Sequence, residues 1–113
     1  MGEVVTEEVV ITNERIEHSN KHKNAYDKYS AIIPSALAQP DYIIEDNKNP
    51  NTGLIIKRIH DENGKQLQIV LRMKIETDPS EYKNSIISCW DISDSRLENY
   101  KRNRKILYKN PEI

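Results

Sequence analysis

The chain has one cysteine, three glycines, one tryptophan and no phenylalanine, so it is short of several devices that commonly hold a small domain together. With Cys89 alone, an internal disulfide and any zinc site built on a cysteine pair are excluded. Cys89 lies in the apolar string Ile86-Ile87-Ser88-Cys89-Trp90, where a small buried hydrophobe is expected rather than a reactive thiol. No apolar run approaches the ~18 residues of a membrane span. The first residues, with Glu3, Glu7 and Glu8, have neither the basic start nor the apolar core of a signal peptide, and a cytoplasmic location is expected. Charge of one sign is missing as well. Seventeen Lys and Arg against eighteen Asp and Glu leave −1, which excludes a polycation that meets nucleic acid with its whole surface. There is no GxGxxG, Walker A, HExxH or GxSxG motif, which removes nucleotide-driven chemistry and the common hydrolases. No internal repeat, low-complexity tract or Gly/Ser linker interrupts the 113 residues, so one domain over 1–113 is expected, with its core between 9 and 109.

What is present is aliphatic and locally charged. With 36% hydrophobic and 31% charged residues the core must be small, drawn mostly from Ile, Leu and Val. Arg96, Lys101, Arg102, Arg104, Lys105 and Lys109 concentrate basic charge near the end of the chain, as either a solvated helix face or a binding patch. Thr12 is a candidate N-cap for a helix over 13–23, with Glu14 in the first turn where an acid suits the helix dipole. Val9, Val10 and Ile11 form a short strand or a packing lead-in before it. A second helical stretch starts near Ala25, adjusts or restarts at Pro34, and stops before Pro40.

From Tyr42 the pattern turns to strands: 42–45, 53–60, 66–74 and 84–92. The first two are joined by the turn-rich Asp46-Asn47-Lys48-Asn49-Pro50-Asn51, and the next pair by Asn63-Gly64. Leu67, Ile69, Leu71 and Met73 alternate with Gln66, Gln68, Val70, Arg72 and Lys74, the period-two pattern of a strand with one apolar face. Ser93 or Asp94 caps a helix to about Asn103, and Ile106-Leu107-Tyr108 is a candidate last strand. Helices first and hairpins second predict an α+β domain. Its helices are expected on one face of an antiparallel sheet of about four strands, with little room for parallel crossovers.

Three sets of residues could carry chemistry. His18 and His22 are four apart and so lie within about 40° of each other on a helix, with Arg15 on the same side. This basic face suits acid/base work near neutral pH, a phosphate, or a metal pair needing a third ligand such as His60. Arg72 interrupts an apolar strand and could clamp an oxyanion bidentately or point to solvent. Ser88 shares a face with Asn84, Ile86 and Trp90 on simple alternation. Tyr100, Tyr108 and Trp90 are candidates for stacking an unpaired base, with Trp90 more at home in the core.

In order and spacing, these segments look like one family. Ile11-Thr12-Asn13-Glu14-Arg15-Ile16-Glu17-His18 with His22, Pro40-Asp41-Tyr42-Ile43-Ile44-Glu45-Asp46, Lys48-Asn49, Asn51-Thr52, the Arg72 strand, Asn84-Ser85-Ile86-Ile87-Ser88 with Trp90, and Tyr100-Lys101-Arg102-Asn103-Arg104-Lys105-Ile106-Leu107-Tyr108 resemble the phage-associated nuclease domains of the barnase/EndoU/colicin/RelE-like superfamily, which occur in phages and prophages of low-G+C Gram-positive bacteria. The resemblance covers about 9–109. It implies a metal-independent, cofactor-free ribonuclease fold with the site across the sheet and the first helix. It assigns His18, His22, Arg72 and Ser88 to catalysis and Arg15, Lys101, Arg104 and Tyr108 to substrate, with Ser19 and Lys21 departing from the family's usual residues between the histidines. The implied reaction is attack of the RNA 2′-hydroxyl on its own phosphorus, leaving 2′,3′-cyclic phosphate ends. The implied partners are RNA and either an immunity protein, as for a toxin, or a phage head or portal component. An inactive assembly accessory and a metal-binding regulator using His18 and His22 stay open beside the enzyme.

Overall fold

The computed structural model describes residues 9–21, 24–59, 64–75, 77–79 and 83–112. In chain order these form β1 (Val9–Val10), α1 (Asn13–Asn20), α2 (Ala25–Tyr29), α3 (Ile33–Ala38), β2 (Tyr42–Glu45), β3 (Thr52–Arg58), β4 (Lys65–Arg72), β5 (Asn84–Ser93), α4 (Asp94–Asn103) and β6 (Ile106–Lys109). Local signals explain most of the boundaries. The Thr12 hydroxyl accepts the Arg15 N–H at 3.3 Å and starts α1. Pro34 lies in the first turn of α3, where its missing N–H costs no helical bond, so the expected second stretch is two short helices. The Ser93 hydroxyl accepts the Arg96 N–H at 3.1 Å and starts α4. Gly64, at φ +76°, takes the left-handed turn before β4, while its expected partner Asn63 lies outside the described residues, as does the end of the helix expected over 13–23. No described helix is long and apolar enough to cross a membrane.

The fold is α+β, and its sheet runs β1-β5-β4-β3-β2-β6. The four expected strands are its centre, and two additions correct the expectation. β6 pairs antiparallel with β2. β1 pairs parallel with β5, for which the hairpin-only reading left little room; the long excursion through α1 to β4 brings the chain back beside Val9 in the same direction.

The helices are not confined to one face. Ala25, Tyr29, Ile33 and Ala36 of α2 and α3 pack with Ile55, Leu67, Ile69, Leu71, Ile86 and Cys89 on one side of the sheet. Leu97 and Tyr100 of α4 pack with Tyr42, Ile44, Leu54, Ile56, Val70 and Ile92 on the other. The expected alternation in β4 is present, but its polar side is covered: Gln66 and Gln68 are each only 2% exposed. Gln66 is satisfied there, since its Nε2 donates to Asp94 Oδ1 at 3.0 Å.

A bulge in β5 decides which residues face α4. Leu71 pairs with Ile86, but its neighbour Val70 pairs with Ser88, so Ile87 is the extra residue. Strict alternation would put Ser88 on the side of Ile86, against α2 and α3. The bulge turns it over, and Ser88 joins Val70, Trp90 and the glutamines on the α4 side.

Candidate functional site

Between α4, the β2–β3 loop and the sheet lies a cleft of about 300 Å³. Leu54, Gln68, Val70, Ser88 and Trp90 form its sheet wall, Arg96, Tyr100 and Arg104 its α4 wall, and Asp46, Lys48 and Asn49 its loop wall. Arg96 and Tyr100, four apart on α4, drift by only about 40° and share one stripe of the helix, and Arg104, the extended residue that ends α4, closes the wall. The Arg104 guanidinium lies 4.4 Å from the centre of the Tyr100 ring, which holds it flat against the helix. The loop wall is held by Asp46, whose carboxylate accepts the Lys48 N–H at 2.9 Å and the Asn49 side-chain N–H at 3.0 Å. That carboxylate is therefore engaged with its own loop. Among the described residues, Lys48, Arg96 and Arg104 form no ion pair. Three cations against one carboxylate leave the cleft a local excess of positive charge on a molecule of nearly zero net charge, which suits an anion.

Two polar groups on the floor have no hydrogen-bond partner among the described residues. Ser88 is 3% exposed, and its hydroxyl makes no hydrogen bond to a described residue. Gln68 Oε1 is shielded from water and likewise unbonded among the described residues.

The expected site residues fall into separate places. α1 packs on β5, where the Ser19 hydroxyl accepts the Cys89 N–H at 3.1 Å along the stretch of strand that β1 does not cover. His18, exposed on that helix, is thus carried beside the strand that bears Ser88, and Arg15 is exposed on the same helix. His22 and the alternative metal ligand His60 lie outside the described residues. Among the described residues, no three of His, Cys, Asp and Glu converge on a point where a metal ion would sit.

Arg72 shares the α4 face of the sheet with Ser88, since Val70 pairs with Ser88 and Arg72 is two residues further along the strand. Its guanidinium forks onto Asp78 at 3.0 and 3.1 Å and also donates to the Met73 carbonyl. The Arg72 fork and the Ile75 N–H hold the Asp78 carboxyl below the usual carboxylate range. Arg72 thereby fixes the turn after β4.

The basic cluster near the chain end is divided by the fold. Arg104 lines the cleft, whereas Lys101 is on another side of α4, 3.1 Å from Glu98 and 5.1 Å from the centre of the Tyr42 ring. Bonding to Glu98 and then Tyr42 holds its ammonium protonated above the usual lysine range. Tyr108 is on β6, the far edge of the sheet, four strand spacings of ~4.8 Å, or about 19 Å, from β5. Cys89 is fully buried, and burial pushes its thiol pKa up, which suits the packing role expected of it.

Sequence reasoning placed Arg96 in the basic cluster as a candidate binding patch and Lys48 in a family segment, but gave no role to Gln68. The one available signal was that glutamines at 66 and 68 alternate with the core residues of β4. Reading them as solvent-facing concealed it.

A family model described as phage-Barnase-EndoU-ColicinE5/D-RelE like nuclease2 matches residues 2–109. No solved structure matches the chain significantly.

Proposed function

The chain belongs to the phage-Barnase-EndoU-ColicinE5/D-RelE like nuclease2 family, and from that premise we propose that it is a metal-independent endoribonuclease working in the cleft beside α4. The observation that carries this reading is the convergence of Lys48, Arg96 and Arg104, without ion pairs among the described residues, over the buried Ser88 hydroxyl. A phosphodiester lies against the three cations and accepts the Ser88 O–H. The 2′-hydroxyl attacks the adjacent phosphorus, and the 5′-oxygen leaves with a proton. His18, on the helix packed along β5, is one proton-transfer group and His22 the other. Arg72 lies on the same sheet face but outside the cleft lining, with its fork held by Asp78, so its part is to set the turn after β4 rather than to touch the phosphorane. Because the nucleophile belongs to the substrate, the reaction needs neither metal nor cofactor.

A second reading has its own support: no described histidine lines the cleft, as expected of an RNA-binding accessory without catalysis. Incubation with total RNA and with tRNA in EDTA separates the two. The enzyme yields fragments with 2′,3′-cyclic phosphate ends and leaves DNA and 2′-O-methyl RNA intact. Binding without cleavage supports the accessory, and neither binding nor cleavage refutes both.

A further inference from the structure

Gln68 is buried among the described residues with an amide oxygen that has no partner there. Its neighbour two residues away is the useful contrast: Gln66 is equally buried, but its carboxamide is bonded to Asp94. Gln68 has no such acceptor or donor among the described residues, and Oε1 is cut off from water as well. An unbonded buried carbonyl such as Oε1 lowers folding stability, because it lost its water in folding and gained no partner among the described residues. Packing does not require it, since Leu54 and Val70 beside it show that aliphatic side chains fit this wall. Nε2 is not cut off from water, and because a glutamine's terminal torsion is broad, a turn of the carboxamide would bring Oε1 towards the cleft beside it.

We propose that Gln68 reads an adenine base, accepting from the 6-amino group while donating to the neighbouring ring nitrogen; this rests on the cleft being the nuclease site. Three features favour that ligand. The cations lining the cleft only donate, so they take phosphate and leave the base edge to Gln68. A carboxamide has its acceptor and donor side by side, matching the paired donor and acceptor on adenine. Trp90, half-buried in the same sheet wall, gives flat apolar surface for a purine. In β4, Gln68 lies two residues, or about 7 Å, from Val70, the partner of Ser88, so a base and its own phosphate reach the two groups together.

The test is titration of the full chain with 3′-AMP, 3′-UMP, 3′-CMP and 3′-GMP, followed by calorimetry or NMR, for the parent and Gln68→Leu. Gln68→Met, of similar length, replaces the leucine variant if that does not fold. The expected result is binding of 3′-AMP on the order of 10-fold or more tighter than 3′-UMP, the discrimination typical of a bidentate base contact. In the variant the preference disappears, the other nucleotides bind as before, and Tm rises by about 4 °C or more as the unbonded amide is removed. Equal binding of the four nucleotides, preference for another base, no binding, or an adenine preference that survives in the variant overturns the proposal. So does a lowered Tm with unchanged affinity, which marks a structural amide. Adenine-selective binding by a protein that does not cleave RNA keeps this inference and removes the nuclease reading. Cleavage without adenine preference does the reverse.

Discussion

Replacing Arg104 by alanine tests whether the folded cleft, rather than the whole basic tail, meets RNA. Each phosphate contact on single-stranded nucleic acid releases about 0.7 of a counterion, so three contacts by Lys48, Arg96 and Arg104 give a slope of log K against log salt near −2. Between 50 and 200 mM salt the parent then loses about 20-fold in affinity, and Arg104→Ala, with a slope near −1.4, loses only about 7-fold. Arg104→Lys keeps the charge but not the planar group over Tyr100, and should retain the parent slope with weaker binding. The informative controls are Arg102→Ala and Lys101→Ala. Arg102 is exposed outside the cleft and Lys101 is engaged by Glu98, so both should keep the parent slope. The assay is fluorescence anisotropy with a short labelled RNA that carries 2′-O-methyl groups to prevent cleavage. Equal flattening by Arg102→Ala, or none by Arg104→Ala, would show that RNA binds along the tail and that the cleft argument is wrong.

Three other outcomes follow from the same geometry. His18→Ala, alone or with His22→Ala, is expected to slow RNA cleavage by about 10²-fold or more without unfolding the domain, in EDTA as well as in its absence, as gel or fluorescence cleavage assays would reveal. Asp78→Asn should lower Tm most above about pH 5. Because Arg72 depresses the folded-state pKa of Asp78, its stabilising effect is present above the ordinary carboxylate value and is lost as pH falls through the lower folded value, so the two melting curves should converge in acid. A Tm difference unchanged from pH 7 to pH 2 would contradict this. Leu97→Ala removes a 6% exposed anchor of α4 and should cost about 2–5 kcal/mol in urea unfolding; a cost below ~1 kcal/mol would mean that α4 is not docked as described.

The sequence by itself determined the elements whose signals are local. Thr12 and Ser93 start helices because their hydroxyls accept N–H groups three residues on, and Pro34 opens a helix because it has no N–H to lose. Strand β2 falls on the expected 42–45, and β4 on all but the ends of the expected 66–74, since alternation with one apolar face needs nothing distant. The buried state of Cys89 was legible in its apolar neighbours. Family membership was legible too, in the order of short segments along the chain.

Tertiary structure decided whatever depended on pairing between distant segments. Alternation divides Gln68 from Leu67 but is silent on whether the polar side meets water or a helix, and α4 made it an interior. No residue in Ile86-Ile87-Ser88 announces a bulge; that follows from register against Leu71 and Val70, and it alone carries Ser88 to the α4 side. The parallel pairing of Val9 with Asn84 joins residues far apart in the chain, and the Arg72 fork chose Asp78 among many acids because the turn after β4 folds back on it. The basic tail was one cluster in one dimension, but α4 ends at Asn103, and the extended backbone at Arg104 lays its guanidinium over Tyr100 while Lys101 turns to Glu98 and Tyr42. Local chemistry sets which conformations a segment prefers, while faces, partners and burial belong to the packing of whole elements, and the cleft was assembled at that level.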